Sequence, residues 1–195
     1  MTLVNDFESF IKKIALDKLE AMKTTTKEIA KKLNKIYYDL DDNTSEHMYI
    51  VGSVGRGTSI KGASDLDLLF DLPSDIYKKY DNYGENSNGQ SVLLQEVKNV
   101  LLERYPKTKI SGDGQVVVIE FINYTVELVP GFKQNDGSFK YPDTHDKGSW
   151  KITNPMPEIK ESRKMAEDTN NNFVYICNMV RSWKNHIGFK LGGLL

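Results

Sequence analysis

Tyr49-Ile50-Val51-Gly52-Ser53-Val54-Gly55-Arg56-Gly57-Thr58, followed after residues 59–64 by Asp65-Leu66-Asp67-Leu68-Leu69-Phe70-Asp71-Leu72, is the stretch that decides the fold. An apolar run ends in Gly-Ser, a small-residue turn follows, and a second apolar run carries two carboxylates two positions apart. Side chains alternate across a strand, so if Leu66, Leu68 and Phe70 mark one face, Asp65 and Asp67 share the other. Carboxylates that close repel each other unless a cation sits between them. Hard divalent cations meet that need, Mg²⁺ especially, which takes one or two carboxylates plus phosphate oxygens. Gly52 and Ser53 offer backbone N–H groups and a hydroxyl at an expected helix start, a cradle suited to a triphosphate. Taken singly, Asp-x-Asp reads as a solvated strand edge and Gly-Ser-x-Gly as a loop. Here they occur in order, with eleven residues between Ser53 and Asp65 and apolar runs around both. Together they point to nucleotidyl transfer.

The bulk numbers narrow the field. A chain of 195 residues, 39% apolar, buries a sizeable core and is most simply one domain. Its net charge of −1, with 27% charged residues, gives no global basic field, so nothing here requires a nucleic-acid partner. Cys177 stands alone, which excludes an intramolecular disulfide framework and fits a reducing compartment. No apolar run nears membrane-spanning length, and residues 1–5 lack the basic start and apolar run of a signal peptide. A cytoplasmic chain with no membrane partner is the expectation.

Outward from the central stretch, residues 6–40 repeat apolar positions at helical spacing: Phe7, Phe10, Ile11 and Ile14, then Ile29, Leu33, Ile36 and Leu40. One long helix or two collinear ones fit equally, with Thr24-Thr25-Thr26 as the weak middle. The many lysines of this segment read as a solvated outer face. Residues 41–46 read as a loop, 48–51 as a strand, 54–60 as a short helix and 61–64 as a turn. Arg56 and Lys61 read equally well as phosphate contacts or as exposed side chains. Asp71 continues the alternation past Asp67 and is placed at the exposed end of the strand. Residues 81–90 are rich in Asn, Gly and Ser and read as a mobile loop. Residues 91–105 form an amphipathic helix stopped by Pro106. Residues 107–111, 115–122 and 124–129 read as strands.

The third of these strands carries Glu127, flanked by apolar residues and followed by a Pro130-Gly131 stop. A carboxylate in a central strand is costly to bury unless it meets a cation or strong donor. Glu127 is therefore a candidate for the same site as Asp65 and Asp67, with Glu120 its competitor. Residues 133–149 read as a long polar loop ending at Trp150, an aromatic that either stacks on a base or pins the loop to the core. Asn154-Pro155 marks a helix start. Residues 173–186 form an amphipathic helix with Phe173, Ile176, Val180 and Trp183 or Ile187 on one side, and Arg181 and Lys184 elsewhere. His47, His145 and His186 have no metal-ligand spacing and are assigned no role.

Gly52-Ser53 followed by Asp65-x-Asp67 resembles the signature of the DNA-polymerase-β-like nucleotidyltransferase superfamily. Gly52-Ser-Val-Gly-Arg-Gly-Thr58, Asp65-Leu-Asp-Leu-Leu-Phe70 and Val126-Glu-Leu-Val-Pro-Gly-Phe132 together look most like the cGAS/DncV-like nucleotidyltransferases, the SMODS-type second-messenger synthases. The resemblance implies an α+β class and a polymerase-β-like fold. That means a mixed β-sheet flanked by helices, with a long N-terminal helical segment (residues 1–47), a catalytic core (48–153) and the start of a C-terminal helical lobe (154–195). Because the chain ends on Gly192-Gly193-Leu194-Leu195, that lobe is expected to be incomplete, or completed by another chain.

The resemblance also assigns roles. Asp65, Asp67 and Glu127 would hold two Mg²⁺ ions (or Mn²⁺) and carry the catalysis, although the family's third acid is usually Asp. Gly52, Ser53, Arg56 and Lys184 would bind the nucleotide. Lys184 follows Arg181-Ser-Trp and resembles a family lysine that touches the donor triphosphate; it reads equally as a helix-surface lysine. The implied substrates are nucleoside triphosphates, ATP and also GTP, UTP or CTP. The implied product is a cyclic di- or trinucleotide, or a linear oligonucleotide, serving CBASS anti-phage defence with its regulatory or effector proteins. Two other readings remain: the same chemistry on an antibiotic, RNA end or protein acceptor, and a nucleotide-binding module with weak catalysis.

Overall fold

Residues 3–40, 45–62, 65–82 and 88–188 are described by the structure, a computed structural model. The N-terminal segment forms two helices, α1 (Leu3–Ile14) and α2 (Leu19–Tyr38). The break falls at residues 15–18, not at the threonines. Thr24 and Thr26 instead donate their hydroxyls to the carbonyls of Glu20 and Met22, one turn back, and stay helical. The interruption comes from the segment before the Asp-x-Asp strand: Ala15 bridges Ile60, the Lys61 N–H bonds the Ile14 carbonyl, and Lys61 pairs with Asp17 at 2.9 Å. Lys23 and Lys32 of this segment are held by carboxylates, in keeping with a solvated face.

The remaining elements are β1 (Met48–Ile50), α3 (Gly52–Arg56), β2 (Leu66–Asp71), α4 (Ser74–Asp81) and α5 (Gly89–Arg104). Then follow β3 (Lys109–Asp113), β4 (Val116–Glu120), β5 (Thr125–Lys133), β6 (Phe139–Asp143), β7 (Ser149–Thr153), α6 (Met156–Asp168) and α7 (Asn172–Ile187). The strands form one mixed sheet in the order β1-β2-β5-β4-β3, with β6 paired to β5 and β7 to β6. Only the β2–β5 pair is parallel among the described strands.

Alternation sorts the two faces of the sheet. Leu66, Leu68 and Phe70 of β2, Val126 and Leu128 of β5, and Val117 and Ile119 of β4 pack against Met22, Ile29 and Leu33 of α2 and Leu93, Leu94, Val97 and Leu101 of α5. Each such side chain contributes about 1.5–3 kcal/mol on burial, so this face anchors the register. The opposite face carries Asp67 and Glu127. Farther along the same strands, Leu69 and Val129 cluster with Val51, Phe139 and Ile159 beneath α3 and α6. One end of that face is thus sealed and the other left open.

Several boundaries differ from expectation. β5 runs through Pro130 and Gly131 to Lys133. Its β4 pairing ends at Leu128 and its β6 pairing begins at Phe132, so the missing Pro130 N–H breaks no ladder bond on that edge. The run 133–149 is not a loop throughout: β6 and β7 form a hairpin within it and just beyond. Trp150 lies on β7, donates to Asp81 at 2.9 Å and packs against Tyr77 and Phe132, so it pins this hairpin to the core. α5 starts at Gly89, two residues earlier than expected, because Asn88 caps it by accepting from the Ser91 N–H. α6 starts at Met156 with Pro155 at the cap position. On α7, Ile176 and Trp183 are more than half exposed. Parts of four expected features lie outside the described residues: the loop at 41–44, the turn at 63–64, the mobile loop at 83–87 and the apolar end at 192–195.

Candidate active site

β1 leads straight into α3, and the junction dictates one residue. Gly52 has φ +58°, the left-handed region that favours glycine. A Cβ there would stand 2.6 Å from Cγ and 2.9 Å from Cβ of Asp67, and closer still to its carboxylate oxygen. Asp67 therefore lies directly over the Gly52 backbone. The ladder fixes this approach, because the Val51 N–H bonds the Asp67 carbonyl at 2.9 Å. Ser53 is buried in the first turn, and its carbonyl accepts from the Thr58 N–H at 2.9 Å, which folds 53–58 into a tight cradle. Gly55 is required for a separate reason: a Cβ there would strike the Ile50 backbone.

Asp67 and Glu127 are register partners in the parallel β2–β5 pair. Partners in a sheet project from the same face, so their carboxylates stand side by side. Asp65 sits just before β2 and is exposed. Burial pushes the Asp67 carboxyl above its ordinary value, the Asp65 charge adds to this, and Arg56 and Arg181 oppose it. Burial also raises Glu127, followed by the charges of Asp67, Asp65 and Asp113. The three sequence candidates thus share one patch of negative potential. Asp113, at the end of β3, adds a fourth acid, from between the stretches 107–111 and 115–122 that the sequence marks as strands. It belongs to the same face, since Asp113 pairs with Val116 and Val118 pairs with Glu127.

The competing carboxylates are engaged elsewhere. Glu120 pairs with Lys109 at 2.5 Å. Asp71 accepts from the Lys133 N–H at 2.8 Å, at the far end of β2. An oxygen-only set in which burial and neighbouring charge raise the Asp67 and Glu127 carboxyls suits a hard divalent cation, whose charge would relieve the repulsion. Among the described residues, no three acidic, His or Cys side chains already close on a common point at ligand range. Asp67 and Glu127 share a face of the sheet without forming a finished cage.

Cations border this patch on the α3 side. Arg56 is paired with Glu158 of α6 at 3.1 Å. Arg181 of α7 is half-buried, and its Nε is fully buried with no hydrogen-bond partner among the described residues. Burial, then the nearby Arg56 guanidinium, lowers the Arg181 pKa. Both arginines line a cavity of about 340 Å³ with Thr58, Ser162, Phe173 and Cys177. The sequence named Arg56 and Lys184 for the nucleotide; Lys184 is partly exposed on α7. Arg181 is the residue it missed, although helical spacing put it a turn before Lys184. His145, assigned no role from sequence, is held at Nδ1 by the buried Asp143 carboxylate at 2.5 Å, which Lys151 also contacts.

The sequence profile of the Second Messenger Oligonucleotide or Dinucleotide Synthetase (SMODS) domain matches residues 1–165. No curated protein sequence matches significantly. Solved structures do. The E. coli MS115-1 CdnC:HORMA-deltaN complex superposes with a TM-score of 0.66 at 15% identity, over 94% of this chain and 57% of that one. The E. coli MS115-1 CdnC + ATP structure gives 0.63 at 16%, over 90% and 55%. A STING-associated CdnE c-di-GMP synthase from Capnocytophaga granulosa gives 0.62 at 17%, over 87% and 53%. The chain thus spans little more than half the length of these relatives. At such identities the superpositions establish the fold, and the match to the domain profile over most of the chain establishes kinship. The α+β chain with its mixed sheet belongs to the SMODS family, the cGAS/DncV-like nucleotidyltransferases of the polymerase-β-like superfamily.

Proposed function

We propose that the chain is the catalytic part of a divalent-metal-dependent nucleotidyltransferase that joins nucleoside triphosphates into a cyclic di- or trinucleotide, or a linear oligonucleotide, with release of pyrophosphate. The observation that carries this reading is the register pairing of Asp67 with Glu127, with Gly52 directly beneath the Asp67 carboxylate. The structure of a relative with ATP supports a nucleoside triphosphate as ligand.

In this reading Asp65, Asp67 and Glu127 hold Mg²⁺, or Mn²⁺ in its place. When bound, the metal would supply charge neutralisation at the donor α-phosphate and a lowered pKa for the attacking hydroxyl. The Gly52 and Ser53 N–H groups and the Ser53 hydroxyl receive the donor's β- and γ-phosphates, and Arg56 and Lys184 contribute positive charge. The absence of a side chain at Gly52 lets the polyphosphate backbone approach Asp67 closely. A ribose hydroxyl of the acceptor attacks the donor α-phosphorus, the new P–O bond forms, and the bond to pyrophosphate breaks. Glu127, beside Asp67 in the register of the sheet, would take the hydroxyl proton. Its extra methylene relative to Asp gives that carboxylate a longer reach from β5.

The biological setting that fits is CBASS anti-phage defence in the cytoplasm, where a HORMA-type partner such as that of the E. coli relative, or a product-sensing effector, would act with the full protein. No helix among the described residues is long and apolar enough to cross a membrane. The test is incubation of the protein with Mg²⁺ and all four nucleoside triphosphates, with pyrophosphate release and mass spectrometry of soluble products. Pyrophosphate together with a 2′- or 3′-linked oligonucleotide supports the reading. Absence of pyrophosphate with Mg²⁺ and with Mn²⁺, or label from α-³²P-ATP on a macromolecule only, overturns it.

A further inference from the structure

Another cavity, of about 380 Å³, lies at the carboxyl ends of β2 and β5, the parallel pair of the sheet. Asp71, which lines it, is four residues beyond Asp67 along β2, so about 13 Å of strand separates this cavity from the acidic patch. Crevices outside the carboxyl ends of parallel strands are common ligand sites. The walls here are aromatic and already fixed: Tyr38, Tyr77 and Phe132 all line the space. Tyr38 stacks on His47 at 3.7 Å and donates its hydroxyl to the Asp71 carbonyl at 2.9 Å. Tyr77 packs against Phe132 and Trp150, with ring centroids 5.3 and 5.1 Å away.

The charges around these rings do not balance. Lys133 and Lys140 line the cavity, and neither pairs with a carboxylate among the described residues. Lys140 is half-buried, and its ammonium meets the Tyr77 hydroxyl at 3.1 Å, a neutral partner. The Lys133 ammonium stands 5.8 Å from the centre of the Tyr49 ring. One carboxylate, that of Asp71, lines the same space. It is engaged on both oxygens: Oδ1 accepts from the Lys133 N–H at 2.8 Å and Oδ2 stands 4.0 Å from His47 Nδ1. Ser74, exposed at the start of α4, adds a hydroxyl. A cation drawn partly out of water with no anion to meet it is unfavourable, so the cavity favours a negatively charged occupant.

We propose that this cavity is a second ligand site, which takes a small aromatic anion: one planar ring bearing a carboxylate or a phosphate. The ring lies against Tyr38, Tyr77 and Phe132, and its charge is met by Lys140 and Lys133, with the Ser74 hydroxyl as a further donor. The size suits such a ligand, and apolar walls with a few converging polar groups are what small-molecule sites present. Because Tyr38 and Tyr77 are held by their own neighbours, binding spends little on ordering the walls. The site does not rest on the nucleotidyl-transfer reading.

The experiment uses the whole chain and reads binding alone. Trp183→Phe, a change at an exposed position of α7, leaves Trp150 as the sole tryptophan, packed against Tyr77 and Phe132. Its fluorescence is titrated with benzoate and with phenyl phosphate. Benzyl alcohol serves as the ring without the charge, and inorganic phosphate as the charge without the ring. A saturable change with at least one of the two aromatic anions is expected, and the tighter of them identifies the acidic group. Both controls should bind at least about tenfold more weakly. Lys140→Gln should weaken the aromatic anion by about tenfold, while Lys140→Arg retains it. Lys133→Gln, at an exposed side chain whose loss leaves the core intact, should weaken it by about two- to fivefold. No saturable response to either aromatic anion, equal affinity for benzyl alcohol, or unchanged affinity in Lys140→Gln or Lys133→Gln overturns the site.

Discussion

Replacing Gly52 with alanine isolates the contact on which the proposed chemistry depends. Two costs add at this position. An alanine held at φ +58° is strained by about 1 kcal/mol. Its Cβ would also lie 2.6 Å from Cγ of Asp67, against about 3.5–4.0 Å for ordinary carbon contacts, so the carboxylate must retreat by about 1 Å. Overpacking of that kind costs about 1–3 kcal/mol, for a total of about 2–4 kcal/mol. Gly57 supplies the control: it is also left-handed, at φ +74°, but a Cβ there meets nothing within 4 Å. Gly57→Ala should therefore lose only the conformational part, about 1 kcal/mol. Urea unfolding of both variants separates the two costs, because the difference between them reports the clash alone. Turnover should diverge more sharply. A displacement of about 1 Å at a reacting centre costs on the order of a hundredfold, so pyrophosphate release should collapse in Gly52→Ala and persist in Gly57→Ala. Equal losses of stability and of turnover in the two variants would refute the claim that Asp67 lies over Gly52.

Two further outcomes follow from the carboxylates. Burial and neighbouring charge raise Asp67 and Glu127 above their ordinary values of 3.8 and 4.5. The folded chain then keeps protons that the unfolded chain has released, so this part of the stability is highest in acid and falls as pH rises from those values through the raised ones. Without divalent cation, Asp67→Asn and Glu127→Gln should each melt later than the parent at neutral pH, by about 0.5–2 kcal/mol of stability, while losing turnover; variants no more stable than the parent would contradict the assignment of repulsion. Asp143 shows the opposite sign, since Lys151 and then His145 hold its carboxyl well below the ordinary range. Its stabilisation is present above the unfolded value of 3.8 and is lost on acidification below it, so the melting-temperature gap between parent and Asp143→Asn should narrow between about pH 5 and about pH 2. A gap that stays constant over that range would argue against the ion pair.

The parts of the site that sequence reading reached are those encoded within single segments. Asp65-x-Asp67 and Gly52-Ser53 each declare themselves through local alternation and turn chemistry, and Glu127 stands out as a lone charge in an apolar strand. What joins them is also local in origin: the apolar partners Leu66, Leu68, Val126 and Leu128 fix the register that brings residues 67 and 127 side by side. Arg181 was missed because a half-buried arginine on an amphipathic helix looks the same as an exposed one until its neighbours are known. The sequence reads as loop through β6 and its turn because Lys140, Pro142 and the polar run at 144–148 dilute the alternation, while the hairpin's stability comes from Phe139 and Trp150 docking at a distance. The helix break at 15–18 was misplaced for the same reason: its cause lies at Ile60 and Lys61, outside the segment being read.

β2 and β5 are neighbours and run the same way, and α4, α5, β3 and β4 all lie between them in the chain. During synthesis, Asp67 leaves the ribosome long before Glu127. A nascent chain halted anywhere in that interval would carry the Gly52-Ser53 turn and one acidic pair but not Glu127, and so would lack one of the carboxylates to which the proposed function assigns catalysis. On the proposed function, half-made copies would stay silent.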